Sequence, residues 1–331
     1  MERTEIEMKK EEKLDYYFDS YSHFGIHEEM LKDSVRTLAY KNAILRNKHL
    51  FEGKVVLDVG CGTGILSMFC AEAGARLVIG VDMSKMIDTA REIIAANGYA
   101  DKIVLLRGKM EEVALPVGKV DIIVSEWMGY CLLYESMLDT VLEARDRYLV
   151  EGGMIFPDKA SLFMCGIEDA QYKEEKINFW NDVYGYDMSC LIDRVMREPL
   201  VDIVEPKAVC TDCVVLNEID IMTVRKEQLA FGKRFSLTAR RSDMMHALLA
   251  YFSCTFSFGT KPVVFSTGPY DKYTHWKQTV FYLPEDLIIQ PNDKIQVALT
   301  CRPNSHNHRE LDFNVEYSLN SKVSTYQYHM C

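Results

Sequence analysis

Four short apolar runs alternate with helical stretches in the first half of the chain, and this order most constrains the fold. The runs are Val55–Val59, Leu77–Asp82, Ile103–Arg107 and Val120–Val124. Helical patterns follow three of them, through residue 73, over 84–97 and over about 135–149, and another covers 15–46. The alternation predicts an α/β domain over residues 47–156, with a mostly parallel sheet and helices on both faces.

The second half of the chain changes character after residue 153. From Pro157 onward strands follow one another, and Leu311–Leu319 alternates apolar and polar residues with the period of a sheet that has one wet face. We therefore expect residues 157–331 to form an antiparallel barrel or sandwich. The exception is 169–193, which is aromatic-rich and helical in pattern. As a projection it would expose apolar surface unless it docks on a partner.

Composition limits the class of partner. The 331 residues carry a formal net charge of −11, which argues against a nucleic-acid binder and is compatible with a basic protein partner. No apolar run reaches the ~18 residues of a membrane helix, and ten scattered cysteines fit a reducing compartment. Cys210 and Cys213 have C-x-x-C spacing, but zinc would need further ligands nearby and a redox motif would need a strand–helix context. We expect neither role for this pair.

A glycine turn directly after the first apolar run indicates a nucleotide-like ligand, because glycines let the backbone approach it closely. Asp82 ends the second run, where a carboxylate can accept hydrogen bonds from ribose. The turn has no basic residue for a pyrophosphate, a modest argument for S-adenosylmethionine over NAD. Arg36 and the turn could bind its amino-acid end. The candidate contacts are Asp58, Gly60, Gly62, Asp82, Met110 and Glu111.

Two glutamates nine residues apart, Glu126 and Glu135, follow the fourth run in a loop that also carries Trp127, Tyr130 and Tyr134. Carboxylates in such apolar surroundings are costly unless a cation satisfies them. A guanidinium is the natural match, because its planar fork offers donors to two carboxylates at once. The loop therefore predicts an arginine-binding catalytic site.

Together these motifs resemble those of the type I protein arginine N-methyltransferases, from about Tyr16 to the C-terminus. The motifs that carry the resemblance are 17–21 (YFDSY), 56–64, 125–137 and 274–276 (THW). The resemblance implies a Rossmann-like S-adenosylmethionine-binding domain, an antiparallel β-barrel domain and a helical dimerisation arm at about 169–193. It also implies a head-to-tail homodimer, and a helical segment at residues 1–46 that closes over the cofactor.

The resemblance also assigns residues to roles, with no metal among them. The catalytic residues it implies are Glu126, Glu135, His275 and Asp33. The substrate-pocket residues are Tyr21, Met30, Met137, Tyr130 and Trp276. The cofactor-binding residues are Tyr17, Phe18, His27 and Arg36, together with the six contacts given above. Two positions depart from the family: Asp82 stands where glutamate is usual, which predicts a looser ribose contact, and Cys61 stands where serine is common.

The expected mechanism follows from the chemistry of arginine, whose pKa lies above ~12. Glu126 and Glu135 are expected to draw positive charge toward two guanidinium nitrogens, so that the remaining one attacks the sulfonium methyl. The proton acceptor is left open between Glu135 and His275 paired with Asp33.

We expect monomethyl and asymmetric dimethylarginine as products, with S-adenosylhomocysteine as by-product. The resemblance suggests histone tails and arginine–glycine-rich RNA-binding proteins as substrates. We expect no direct binding to nucleic acid or membranes, and a location in cytoplasm and nucleus. The alternatives are an inactive dimeric scaffold that binds arginine-rich tails, a monomethyl or symmetric variant, and a small-molecule methyltransferase.

Overall fold

The computed structural model describes residues 20–331, so Tyr17 and Phe18 lie outside the described residues. The described chain begins with helices α1 (Phe24–Lys32), α2 (Ser34–Leu45) and α3 (Lys48–Phe51). The helical pattern predicted as one stretch is interrupted at Asp33, which has extended backbone. Its Oδ1 accepts a hydrogen bond from the Arg36 amide at 3.0 Å and so caps α2.

Five parallel strands form the sheet of the first domain. They are β1 (Val55–Val59), β2 (Leu77–Asp82), β3 (Ile103–Arg107), β4 (Val120–Ser125) and β5 (Leu149–Phe156). The helices that connect them are α4 (Ile65–Glu72), α5 (Met86–Ala96) and α6 (Met137–Tyr148). The strand order is β3-β2-β1-β4-β5. All five residues of β1 are buried, as expected for a central strand covered on both faces. The predicted α/β architecture is confirmed.

The strand order places the functional motifs side by side. The chain moves outward from β1 to β2 and β3, then returns to the other side of β1 with β4. The switch point therefore lies between β1 and β4, where open α/β sheets bind ligands beyond the carboxyl ends of the strands. Val59 pairs with Ser125 there. The glycine turn and the loop with the two glutamates consequently leave the sheet as neighbours.

The second half is antiparallel, as predicted. Its strands are β6 (Lys159–Ile167), β7 (Leu200–Asp202), β8 (Val214–Asp220), β9 (Phe231–Thr238), β10 (Asp243–Phe256), β11 (Val263–Ser266), β12 (Gln278–Ile289), β13 (Lys294–Pro303), β14 (Leu311–Leu319) and β15 (Lys322–Met330). One sheet runs β7-β12-β10-β6-β8 with β11 beside β10, and the other runs β15-β14-β13-β9. Phe281 of the first and Phe313 of the second meet edge to face at 4.9 Å, which joins the two sheets through their apolar sides.

The segment between β6 and β7 projects from the first of these sheets, and it is helical only in short pieces. These pieces are α7 (Ala170–Tyr172), a π-helical turn (Lys173–Ile177), 3-10 turns at Asn178–Asn181 and Ser189–Leu191, and α8 (Ile192–Met196). A turn through Gly185, closed by a bridge between Val183 and Tyr186, interrupts the helical pattern predicted for 169–193. Tyr184 is 96% exposed and Tyr186 71%. Over residues 20–331, no helix has the length and apolar character to cross a bilayer.

Candidate active site

A cavity of about 470 Å³ opens at the β1–β4 switch point, between the glycine turn, the double-glutamate loop, α1–α2 and the loop after β11. Most of the predicted site residues lie on its wall. They are Tyr21, His27, Met30, Arg36, Gly60, Gly62, Asp82, Met110, Glu111, Glu126, Tyr130, Glu135, Met137, His275 and Trp276. Asp33 and Asp58 do not line it. Each lies one layer behind the wall, in contact with residues that support it.

Glu126 is anchored from the N-terminal side. Its Oε2 accepts hydrogen bonds from Arg36 Nε and Nη2, both at 2.9 Å, and only 8% of each side chain is exposed. Arg36 is itself oriented by a bond from Nη1 to the Met30 carbonyl at 3.4 Å. The second oxygen, Oε1, is buried and has no hydrogen-bond partner within residues 20–331. A buried acceptor left in this way costs about 1–3 kcal/mol, so the site favours a ligand that brings an N–H donor.

Glu135 stands on strained backbone. Its φ is 73°, and Cys131, Leu132 and Ser136 in the same loop also have left-handed φ values, of 49°, 70° and 56°. Such conformations cost on the order of 1–3 kcal/mol each and persist only where surrounding contacts enforce them. The Tyr21 hydroxyl donates to Glu135 Oε2 at 2.7 Å, which links the carboxylate to the segment before α1.

The loop between β13 and β14 holds this strained backbone in place. The Glu135 amide donates to the Arg309 carbonyl at 2.8 Å, and Arg309 Nη1 donates back to the Glu135 carbonyl at 2.6 Å. Ser136 Oγ donates to the His308 carbonyl, and the His308 ring lies 2.7 Å from Asp139 of α6. The sequence analysis assigned no role to Arg309 or His308. No local pattern joins them to a loop 174 positions earlier in the chain.

His275 and Asp33 are brought together as the resemblance implied. Asp33 Oδ2 accepts from the His275 backbone amide at 2.9 Å and lies 2.8 Å from its ring Nδ1. Burial alone would raise the pKa of Asp33, but the hydrogen bonds from His275 and from the Arg36 amide outweigh it, and the pKa lies below its usual range. A carboxylate at this distance favours the tautomer with the proton on Nδ1, which leaves Nε2 as the acceptor.

Trp276 supports the double-glutamate loop from below. Its indole Nε1 donates to the Met128 carbonyl at 2.8 Å, and its ring stacks on Phe265 at 5.6 Å. Only 3% of the residue is exposed, although one side of it reaches the cavity wall. The Thr-His-Trp motif therefore contributes one polar group facing the cavity and one apolar support beneath the loop.

The glycine turn has the geometry that a closely approached ligand needs. Gly60, Gly62 and Gly64 have φ of 74°, 50° and 80°, a region that side chains disfavour. A Cβ on Gly60 would come within 2.2 Å of Met137 Cε. His27 packs beside Gly62, and its Nε2 lies 2.8 Å from the Tyr21 carbonyl. This arrangement brings the turn into contact with α1 and with Met137 at the start of α6.

The acids beyond the turn have different surroundings. Asp82 Oδ2 accepts from the Gly62 amide at 2.8 Å, and Oδ1 accepts from the amide and hydroxyl of Ser84. The shorter side chain at this position thus braces the glycine turn. Glu111 accepts from Thr140 Oγ1 at 2.8 Å. Met110 is buried beside it and offers an apolar surface to the cavity.

Asp58 lies behind the turn, fully buried. Ser67 Oγ donates to its Oδ2 at 2.6 Å, while Oδ1 has no partner among the residues that the structure describes. Burial is the main reason that the pKa of Asp58 is raised to about 7. A buried acid of this kind weakens the fold at neutral pH unless a cation reaches it.

The wall fits S-adenosylmethionine better than a phosphate-bearing nucleotide. The cavity volume lies in the usual range for small-molecule sites. The lining combines an open glycine turn, the carboxylates of Asp82 and Glu111, and the buried guanidinium of Arg36. The turn itself carries no basic side chain. Among the described residues there is also no cluster of three or more His, Cys, Asp or Glu that would hold a metal ion.

Comparisons with known proteins agree with this assignment. Residues 56–153 match the family model described as a methyltransferase domain, and residues 158–322 match the arginine methyltransferase oligomerization subdomain. The chain is 59% identical over 321 residues to protein arginine N-methyltransferase 1 of Dictyostelium discoideum. The match covers 96% of this chain and 94% of that protein. The protein of the same name from Saccharomyces cerevisiae is 56% identical over 315 residues, covering 95% and 90%.

Solved structures are similar over almost the whole fold. The Trypanosoma brucei PRMT1 enzyme–prozyme heterotetrameric complex with AdoHcy contains a chain that is 46% identical, with a TM-score of 0.92 and coverage of 94% of this chain and 100% of that one. Arabidopsis thaliana protein arginine methyltransferase 10 gives a TM-score of 0.84 at 30% identity, covering 95% and 99%. The predicted cofactor and activity are confirmed, and residues 158–322 form an oligomerisation subdomain. The chain belongs to the type I protein arginine N-methyltransferase family, whose members methylate arginine with S-adenosylmethionine.

Proposed function

We propose that Glu126 and Glu135 together clamp the guanidinium of a protein arginine, and that the products are monomethyl and asymmetric dimethylarginine. The observation that carries the proposal is the convergence of these two carboxylates on one cavity, with the buried Glu126 Oε1 lacking a partner among residues 20–331. A guanidinium supplies the planar donors that this oxygen lacks. Tyr21, Met30, Tyr130 and Met137 complete the substrate side of the wall.

The residues of the chain would act by charge and alignment. S-adenosylmethionine, when bound, supplies a methyl carbon made electrophilic by the adjoining sulfonium. Glu126 and Glu135 hold two guanidinium nitrogens and draw positive charge toward them, which leaves electron density on the third. Preorganised charge of this kind is worth more in a water-excluded site, and orientation can contribute about 7–11 kcal/mol of barrier reduction.

Two groups are in position to accept the proton that leaves the nitrogen. Glu135 is one, since it contacts the guanidinium directly in the proposed complex. His275 is the other, because its Nδ1 lies 2.8 Å from Asp33 Oδ2, and a proton held between them leaves Nε2 as the acceptor. If His275 accepts the proton, replacing Asp33 should lower kcat. If Glu135 accepts it, replacing Asp33 should leave kcat unchanged.

We also infer that the catalytic unit is a homodimer whose contact is made by the segment at 169–193. Support comes from the exposed aromatic side chains of that segment, with Phe179 at 46% and Tyr184 at 96%, because an isolated chain would leave this apolar surface in water. The proposed substrates are arginine–glycine-rich proteins and histone tails, to which a net charge of −11 is electrostatically matched. The proposed locations are cytoplasm and nucleus.

The experiment that tests the product is methyl transfer to an arginine–glycine-rich peptide, followed by tandem mass spectrometry of the methylated arginine. Neutral loss of dimethylamine identifies the asymmetric form. Loss of monomethylamine alone from a dimethylated residue identifies the symmetric variant, and an absence of transfer supports the scaffold alternative. Sedimentation of a chain lacking residues 175–190 tests the arm, since it should yield monomers where the full chain yields dimers.

A further inference from the structure

Two cysteines meet at the root of the projecting segment. Cys165 is next to Met164 on β6, and Cys213 directly precedes Val214 of β8. Because Met164 pairs with Val214 in the antiparallel ladder, the two cysteines are the next neighbours across it. Cys213 also packs against the buried apolar cluster to which Cys165 belongs. Opposed residues of antiparallel strands have Cα separations of about 4.5–5.5 Å, which lies inside the range of about 4.4–6.8 Å that a disulfide requires.

The two thiols differ in exposure and in acidity. Cys165 is fully buried and Cys213 is half-buried, so a small oxidant reaches Cys213 first. The hydrogen bond from Cys165, helped by the Tyr251 hydroxyl and by the charge of Arg240, holds the pKa of the Cys213 thiol below its usual value against the effect of burial. The same bond raises the pKa of Cys165. Such a pair has an attacking thiolate and an adjacent resolving thiol.

The C-x-x-C partner of Cys213 is a weaker candidate. The Cys210 amide donates to the Gly166 carbonyl, which fixes that residue further along the ladder. Cys210 is fully buried, and burial raises the pKa of its thiol to about 12. It therefore supplies little thiolate near neutral pH. The spacing that the sequence displays is thus less suited to oxidation than the contact between β6 and β8.

We propose that Cys165 and Cys213 form a reversible disulfide, with hydrogen peroxide as the oxidant. Cys213 Sγ attacks one peroxide oxygen, and the O–O bond breaks to give a Cys213 sulfenic acid and hydroxide, which takes up a proton to become water. Cys165 Sγ then attacks the sulfenic sulfur, the S–O bond breaks, and a second water leaves with the Cys165 proton. Two electrons pass from the sulfurs to the peroxide oxygens.

The disulfide encloses residues 166–212, which contain the whole projecting segment and β7. It joins β6, the strand before that segment, to the residue directly before β8, the strand that follows β7. A covalent closure of this length restricts the unfolded chain. The oxidised protein consequently unfolds at a higher temperature than the reduced protein.

The test treats the full-length protein with one equivalent of hydrogen peroxide, in a Cys190→Ser background that removes an exposed thiol able to link two chains. Quenching, alkylation and digestion without reductant are followed by mass spectrometry. We expect one peptide pair joined through Cys165 and Cys213, which dithiothreitol separates, and a rise in Tm that the same reductant reverses. Cys210→Ser serves as the matched control and should give the same cross-link, whereas Cys213→Ser should give none.

Three results would overturn the proposal. One is a Cys210–Cys213 cross-link in place of the expected pair. Another is over-oxidation of Cys213 with Cys165 still alkylated as a thiol. The third is the absence of any intramolecular cross-link after peroxide treatment. Each can be observed in the Cys190→Ser protein alone, so the conclusion does not depend on whether the other substitutions fold.

Discussion

Glu126 and Glu135 reach the same cavity, but different parts of the molecule hold them. Glu126 follows a regular buried strand and is held by Arg36 of α2. Glu135 sits on left-handed backbone and is held by Arg309 of the antiparallel domain. The Glu126 carboxylate is thus positioned by an ion pair next to the parallel sheet. For Glu135, Arg309 of a distant loop fixes the backbone, and Tyr21 donates to the carboxylate. The comparison indicates that the proposed clamp depends on contacts from both the N-terminal helices and the antiparallel half of the chain.

Neutralising the two glutamates separately gives the largest expected effect. Glu126→Gln and Glu135→Gln should each lower kcat by about a thousandfold, because an amide cannot draw charge from the guanidinium as a carboxylate does. The two variants should differ in stability. Glu126→Gln weakens a buried bond to the Arg36 charge, worth about 1–3 kcal/mol, so its Tm should fall further than that of Glu135→Gln.

Activity is measured by radiolabelled methyl transfer, cofactor affinity by calorimetry and Tm by scanning calorimetry. Glu92→Gln, on the exposed face of α5, is the matched control and should behave as the unaltered protein. Near-normal transfer by either clamp variant would refute the role proposed for that residue. Equal Tm values would refute the asymmetry between their supports.

Arg309→Ala acts on the Glu135 side of the comparison. The substitution removes the bond from Nη1 to the Glu135 carbonyl and lets the strained turn relax. We expect a loss of roughly ten- to a hundredfold in kcat, since displacement of a positioned group by about 1 Å has consequences of this size. Cofactor affinity should be unchanged, because the turn after β1 is not involved.

Arg309→Lys should recover part of the lost activity, as a single donor can still reach the carbonyl. Arg302→Ala, on the exposed side of β13, removes an arginine near the same loop and should have little effect. If Arg309→Ala and Arg302→Ala had the same small effect on kcat, Arg309 would not be a positioning residue for Glu135.

Whether a part of the site could be predicted from the sequence depends on whether its contacts are local or distant in the chain. Local patterns predict β1, β4 and both glutamates, because strand runs, a glycine turn and acids in an apolar loop are short-range features. Asp33 and His275 are 242 positions apart, and only the family resemblance joined them. Arg309 was not found at all, since its function depends on where a β-domain loop packs rather than on any motif in its own neighbourhood.

Asp33→Asn tests whether the contact between Asp33 and His275 of the Thr-His-Trp loop contributes to catalysis. It should lower kcat by about tenfold if His275 accepts the proton, because the ring remains but loses its orienting anion. A kcat that is unchanged at every pH would assign the proton to Glu135 instead. His275→Gln distinguishes loss of the ring from loss of its partner.

The same variant has a pH dependence of known sign. The folded pKa of Asp33 is lowered, so its stabilising contribution is present above the unfolded value of about 3.9 and is lost as pH falls through the folded value. The Tm deficit of Asp33→Asn should accordingly be full at pH 7 and shrink below about pH 4. A deficit that stayed constant at acidic pH would show that the charge is not what Asp33 contributes.

Asp58→Asn should give the smallest effect, and it examines a buried acid beside the Glu126 strand. Burial raises the folded pKa of Asp58 to about 7, so the unfolded chain ionises first as pH rises. The contribution of Asp58 to the stability of the unaltered protein therefore declines between about pH 4 and pH 7. Asparagine removes this decline and can keep the hydrogen bond to Ser67. The Tm of the variant should therefore exceed that of the unaltered protein by about 5 °C at pH 8 and by much less near pH 4.

Measurements of cofactor affinity test whether Asp58 contributes to cofactor binding. Asp58 Oδ1 has no partner within residues 20–331. If it serves the ammonium of S-adenosylmethionine, Asp58→Asn should bind S-adenosylhomocysteine more weakly at pH 8 while being the more stable protein, because the ligand carries the same ammonium and favours the ionised acid. The difference in affinity should narrow toward pH 6, where the unaltered Asp58 also carries its proton. Equal affinities at pH 8, measured by calorimetry, would remove Asp58 from the cofactor site and leave it as a structural partner of Ser67.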